Sequence, residues 1–159
     1  MEKIALKPAS VFHYFEEICQ VPRPSKKEEK IIAYLENFAQ IQGLEWKKDE
    51  AGNILIKKAA TPGKENLKTV ILQSHIDMVC EKNSDSTHDF MNDPIETYVD
   101  GEWLKAKGTT LGADNGIGMA TQLAILAADD IEHGPIECLF TVDEETGLTG
   151  AFALKEGFM

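Results

Sequence analysis

The sequence predicts an α/β fold, a mixed, mainly parallel sheet with helices on both faces, and three observations carry that prediction. Two apolar runs, Thr69-Val70-Ile71-Leu72 and Ile136 to Val142, have the length and β-branched character of strands. Between them Gly116 to Ala128 is almost wholly small or apolar, the signature of a buried helix. Strand, helix, strand in that order is the right-handed crossover unit that builds parallel sheets. The 159 residues, 43% hydrophobic and 27% charged, suffice for a core without disulfides.

Taken in order, Val11, Phe15 and Ile18 recur at helical spacing between Pro8 and Gln20, and Pro22-Arg23-Pro24 stops that helix. Ser25 with Glu28 reads as a capping box opening a second helix, which carries Ile31, Leu35 and Phe38 as far as Gly43. Leu44 to Lys48 and Asn53 to Lys58 form an expected antiparallel hairpin joined by Asp49-Glu50-Ala51-Gly52. Thr69 to Gln73 and Ile136 to Val142 are expected as central parallel strands, the first buried on both faces. Glu81 to Asp100 reads as a long loop, with a short strand around Trp103-Leu104. Gly116 to Ala128 should be the most buried helix, since it lacks a charged face.

Composition excludes several classes. Twenty-seven acidic residues against 16 basic ones give a net charge of −11, which speaks against a nucleic-acid partner. Cys19, Cys80 and Cys138 are odd in number and form no Cys-x-x-Cys pair, so neither a disulfide framework nor a cysteine zinc site is expected. No apolar run approaches the ~18 residues of a membrane span, no signal core opens the chain, and no Asn-x-Ser/Thr sequon occurs. The expectation is a cytoplasmic protein with no membrane partner.

Three polar clusters stand at element ends, where open α/β sheets place their sites. In His75-Ile76-Asp77 the alternation of an extended chain puts imidazole and carboxylate on one side, so that Asp77 could orient His75 behind a metal. Gly112-Ala113-Asp114-Asn115-Gly116-Ile117-Gly118 sets an acid in a turn whose glycines permit close backbone approach to an ion or ligand. Helix capping by Asp114 or Asn115 is the alternative; the spacing matches neither G-x-G-x-x-G nor a P-loop. Asp143-Glu144-Glu145-Thr146-Gly147 crowds like charges at a strand end, which a cation or a proton would offset and which plain solvation also allows. Together they form the nitrogen and oxygen donor set that zinc accepts.

Longer strings around these clusters are more specific: Ser74 to Asn83 (S-H-I-D-M-V-C-E-K-N), His88-Asp89-Phe90 with Asp93-Pro94-Ile95, Gly108 to Gly118 (G-T-T-L-G-A-D-N-G-I-G) and Thr141 to Gly147 (T-V-D-E-E-T-G). With Tyr14 to Ile18 and Val21-Pro22-Arg23, they resemble the bacterial aminoacyl-histidine dipeptidases nearly end to end. Those are cytosolic Xaa-His or carnosine-splitting enzymes of the aminoacylase and glutamate-carboxypeptidase-like clan of two-metal peptidases. The resemblance implies metal ligation by His75, Asp114 and Glu145, with Asp114 bridging two divalent ions, zinc or alternatively cobalt or manganese. It implies that Asp77 supports His75, that Glu144 is the general base, and that the substrate is a small peptide. It further implies a homodimeric parent with a separate lid or dimerisation domain.

Two cations that share one bridging carboxylate and take three protein donors each need five residues, and the clusters supply three. Residues 1–159 are therefore expected to be the N-terminal part of a catalytic domain, inactive alone, and the resemblance implies that a longer parent supplies the remaining carboxylate and His. His13, His88 and His133 match no ligand position and are expected in ordinary surface or loop roles. Two other readings stay open at this point: another amide hydrolase of the clan, an aminotripeptidase or N-acyl amino acid deacylase, and a non-catalytic metal-binding module.

Overall fold

The structure is a computed structural model that describes residues 6–159. Helix α1 (Ala9–Cys19) buries Phe15, Ile18 and Cys19 on the stripe that the sequence spacing marks. Helix α2 (Glu29–Ile41) buries Ile31, Leu35, Phe38 and Ala39 and stops before Gly43, whose φ of +65° a side chain would resist. Its start corrects the capping-box expectation, because Ser25 and Glu28 do not cap each other. The Ser25 hydroxyl donates to Asp77 Oδ2, and Glu28 accepts from the amides of Lys26 and Asp143.

Strands β1 (Glu45–Lys48) and β2 (Ile54–Lys58) form the expected antiparallel hairpin. Its turn is fixed by Asp49, whose Oδ1 accepts the amides of Ala51, Gly52 and Asn53, each at 2.9 Å. Strands β3 (Val70–His75) and β6 (Ile136–Thr141) run parallel in register Val70 to Ile136 through His75 to Thr141. Helix α3 (Ala113–Ala127) connects back between them, with a two-stranded antiparallel ribbon of β4 (Thr97–Asp100) and β5 (Trp103–Ala106) inserted before it. The short helix α4 (Thr149–Ala153) follows β6.

The fold class is mixed α/β, as expected, and several details differ. The sheet order is β1-β2-β6-β3, so among the described strands only β3 and β6 pair in parallel, and β3 is the last of the four. Val70 and Ile71 are about half exposed, at 53% and 50%. An unbroken apolar run implies cover on both faces, yet full burial begins only at Ser74 and His75. There Gln122 of α3 bonds the Ser74 hydroxyl and donates to the Leu72 carbonyl.

The three long helices share one face. Side chains of α1, α2 and α3 form a single cluster with Ile54, Ile56, Ile136, Cys138 and Phe140, which the two-residue repeat of a strand places on the same side. The other face carries buried Leu55 and Leu139, with the C-terminal segment alongside, where Lys47 Nζ stands 4.9 Å from the Phe158 ring centroid. Strand β5 covers the expected Trp103-Leu104, whereas β4 falls at the end of the segment expected as a loop. Helix α3 is the most buried, as its composition indicated: Gly116, Met119, Ala120, Gln122, Leu123, Ala124 and Leu126 are all enclosed. Among the described residues no helix is long and apolar enough to cross a membrane.

The end of β6 is pinned from behind. Asn53 accepts the amide of Val142 at 3.0 Å and donates to the carbonyl of Gly150 at 2.8 Å. A Cβ on Gly150 would lie 2.6 Å from Asn53 Oδ1 and 2.7 Å from Val142 N. Gly150→Ala is therefore expected to destabilise the chain by about 1–3 kcal/mol, measurable as a lower urea midpoint at unchanged m-value. An unchanged midpoint would show that the contact relaxes freely.

Candidate metal and catalytic site

The parallel strands β3 and β6 end side by side, and their first turns carry the His-x-Asp and Asp-Glu-Glu clusters. His75 closes β3 and Ile76 still donates to Thr141, so the imidazole is held against β6. Asp114 enters from the start of α3. Its φ of −91° and ψ of 111° are not helical, and the Asp114–Asn115 peptide is cis. The Asn115 side chain, not Asp114, takes the capping role, accepting from the amide of Gly118.

His75 Nε2 lies 3.0 Å from Asp114 Oδ1 and 3.8 Å from Glu144 Oε2. Ligand atoms of His75, Asp114 and Glu145 fall within 4.8 Å of one another. All three expected donors converge. The donor set, one imidazole and two carboxylates, suits zinc or another first-row divalent ion. His75 is buried, while Asp114 and Glu145 are exposed, so the cluster opens outward.

On the inner side, His75 Nδ1 faces Asp77 Oδ1 at 3.3 Å and the Asp77 carbonyl at 3.1 Å. Asp77 is fully buried and accepts from Ser25 Oγ at 2.7 Å and from the amides of Glu144 at 3.0 Å and Glu145 at 3.2 Å. Burial pushes its carboxyl up, but the His75 ring, the Ser25 hydroxyl and the two amides outweigh burial and hold it well below the usual carboxylate range. Asp77 thus fixes the imidazole and the Asp-Glu-Glu turn at once.

His75 itself is pulled down by burial and carried up further by the carboxylates of Asp77 and Asp114, to about 9. Burial, with the neighbouring Glu144 and Asp114 charges, raises Glu145. Without a cation the site holds a proton, which an entering cation must displace. Zinc uptake near neutral pH is expected to release a proton, with apparent affinity rising about tenfold per pH unit until pH nears the His75 value. Calorimetry in buffers of different ionisation enthalpy reads this directly; uptake without proton release would contradict it.

Three residues outside the expected set build the frame. Arg23, Ser25 and Glu28 all lie in the α1–α2 connection and reach, respectively, the backbone at Ile76, Asp77 and Gly112, the Asp77 side chain, and the Asp143 amide. In the sequence Arg23 stands in a helix-stopping Pro-Arg-Pro, marked beyond that only as part of the Val21-Pro22-Arg23 string of the resemblance, and the other two resemble caps. What approaches the glycine-dense turn within the chain itself is Arg23. A Cβ at Gly112 or Gly116 would lie 2.5 or 2.7 Å from Arg23 Nη2. His13 pairs with Glu17, His88 packs edge-on against Phe90 and His133 bonds the Gly134 carbonyl, all away from the cluster.

These features define a mixed α/β domain whose strand ends gather donors suited to a divalent cation. The chain belongs to Peptidase family M20/M25/M40, which it matches over residues 71–159. It is 51% identical over 154 residues to the cytosol non-specific dipeptidase of Escherichia coli (strain K12), covering 97% of this chain and 32% of that protein. The crystal structure of the aminoacylhistidine dipeptidase from Vibrio alginolyticus superposes with a TM-score of 0.96 at 56% identity, over 100% of this chain and 32% of that one. A tripeptidase from Staphylococcus aureus follows at a TM-score of 0.74 and 28% identity, over 92% and 39% of the two chains. The chain thus spans about a third of the length of these relatives.

Proposed function

We propose that residues 1–159 are the N-terminal part of the catalytic domain of a metal-dependent dipeptidase, whose full-length form cleaves dipeptides with C-terminal histidine, β-alanyl-histidine included. The observation that carries this reading is the convergence of His75, Asp114 and Glu145 with Glu144 beside them at the ends of two parallel strands. The names of the Escherichia coli and Vibrio relatives support the dipeptide class, and the Vibrio name supports histidine as the second residue. The full-length protein is proposed to work in the cytosol as a homodimer, the latter on the family resemblance alone.

In this reading His75 and Asp114 would hold one cation and Asp114 and Glu145 a second, and the remaining donors would come from further along the full-length chain. Bound there, two zinc ions, or cobalt or manganese, would acidify a water and polarise the scissile carbonyl. The chain's own groups do the rest. Asp77 holds His75 in the orientation that leaves Nε2 facing the crevice. Glu144, whose backbone is tethered to Asp77, takes the proton of the attacking water and delivers it to the leaving amine.

Assaying the full-length protein with zinc on β-alanyl-His, alanyl-His, tripeptides and N-acyl amino acids tests the assignment. Hydrolysis of the Xaa-His dipeptides is expected, and none by residues 1–159 alone. The similarity to a tripeptidase favours a second reading, and turnover of tripeptides without Xaa-His dipeptides would establish it.

A further inference from the structure

Arg23 lies in the α1–α2 connection and is only 2% exposed. Burying a guanidinium is costly unless its donors are met. Nη1 donates to the carbonyls of Ile76 at 3.2 Å and Asp77 at 3.1 Å, and Nη2 donates to the carbonyl of Gly112 at 2.5 Å. The first two carbonyls belong to the strand end that carries His75 and Asp77. The third stands two residues before Asp114. One planar group therefore clamps two loops that are distant in sequence.

The seat is shaped for this group. Besides Arg23 Nη2, a Cβ on Gly112 would meet Met78 Sδ at 2.8 Å, and a Cβ on Gly116 would meet Phe15 at 3.0 Å. The connection is also fastened to the same strand end: the amide of Met78 donates to the Arg23 carbonyl at 3.1 Å, and Pro24 pairs with Met78 in a parallel bridge. All three guanidinium bonds end on backbone carbonyls, so Arg23 acts on the site through loop position.

We propose that Arg23 is a positioning residue whose guanidinium fork sets the separation of His75 and Asp114, 3.0 Å from Nε2 to Oδ1, and with it the geometry in which a cation is bound. The inference rests on reading His75, Asp114 and Glu145 as metal donors. A lysine would keep the charge but not the fork, because an ammonium is a point donor on a flexible stem. Donor placement has to hold to within about 0.5 Å, so loosening one loop against the other is felt directly in affinity.

The test measures zinc affinity of the full-length protein by competition with a chromophoric chelator, kcat and KM on alanyl-His, and amide hydrogen exchange over residues 74–80 and 108–118. Arg23→Lys is expected to weaken zinc binding by about 10- to 100-fold and to lower kcat more than KM. Exchange should quicken in both segments while the β1–β2 hairpin stays as in the wild type. Gly116→Ala, which leaves the arginine in place and crowds its guanidinium, should move affinity and exchange the same way. A role in stability alone would lower the unfolding midpoint yet leave zinc affinity and local exchange unchanged well below it, and that result overturns the proposal. Should Arg23→Lys not fold, Gly116→Ala decides on the same readouts. If His75→Ala leaves zinc affinity unchanged, the metal reading fails, and exchange in the two segments still decides whether Arg23 fixes the loops.

Discussion

Glu144→Gln in the full-length protein is expected to lower kcat on Xaa-His dipeptides by about 10²- to 10⁴-fold, the usual contribution of a positioned general base. Metal content and KM should stay near wild type. The Glu144 amide is bonded to Asp77 Oδ1 at 3.0 Å, which fixes the backbone, while the side chain is 33% exposed with Oε2 3.8 Å from His75 Nε2. Glutamine keeps the shape and the backbone bond but cannot take up a proton. Loss of kcat together with bound metal would instead assign Glu144 to cation binding, and an unchanged kcat would remove it from the chemistry. The neighbouring Glu145→Gln provides the contrast, since a lost donor should appear first in metal affinity.

Much of this arrangement could be read from local sequence where local physics decides the outcome. The stripe of Val11, Phe15 and Ile18, the Asp49 turn and the uncharged face of α3 each specify their element through spacing or a single side chain. The convergence of His75, Asp114 and Glu145 was legible because each stands where an apolar element ends or begins. What was hidden depends on contacts between segments far apart in the chain. Thr69 to Leu72 has the composition of a central strand, yet β6 receives β2 on its other side and leaves β3 the last of the four described strands. The capping-box spacing of Ser25 and Glu28 is real, but Asp77 and the Asp143 amide compete for the same groups and win. Likewise, the glycines at 112 and 116 signal a close approach without saying by what; the answer, Arg23, is 89 positions from Gly112.

Asp77 carries the largest expected effect on stability. Asp77→Ala should destabilise the metal-free chain by about 3–5 kcal/mol, because it strands a buried charge partner and several buried donors. The His75 ring, the Ser25 hydroxyl and the amides of Glu144 and Glu145 would all lose an acceptor in a site with no solvent access at Asp77. Asp77→Asn should cost less, since one oxygen remains, but its amide group would meet a donor where the carboxylate met one. The pH profile separates this account from loss of packing. The Asp77 carboxyl is held low in the folded state, so its contribution is complete above an unfolded value of ~3.9 and fades as pH falls through the lower folded value. His75 is raised to about 9, so its contribution is complete below the unfolded value of ~6.5 and is lost as pH rises through about 9. The combined contribution of Asp77 and His75 should therefore hold a plateau between ~4 and ~6.5 and decline on the alkaline side. In Asp77→Ala the acid-side loss should disappear, and the alkaline decline should be smaller and complete at lower pH, because only Asp114 and Glu144 would then support the imidazolium. Urea unfolding across pH in the presence of a chelator measures both limbs. An alanine variant that is less stable by a constant amount at every pH would mean that Asp77 fills space and does not hold the imidazole through its charge.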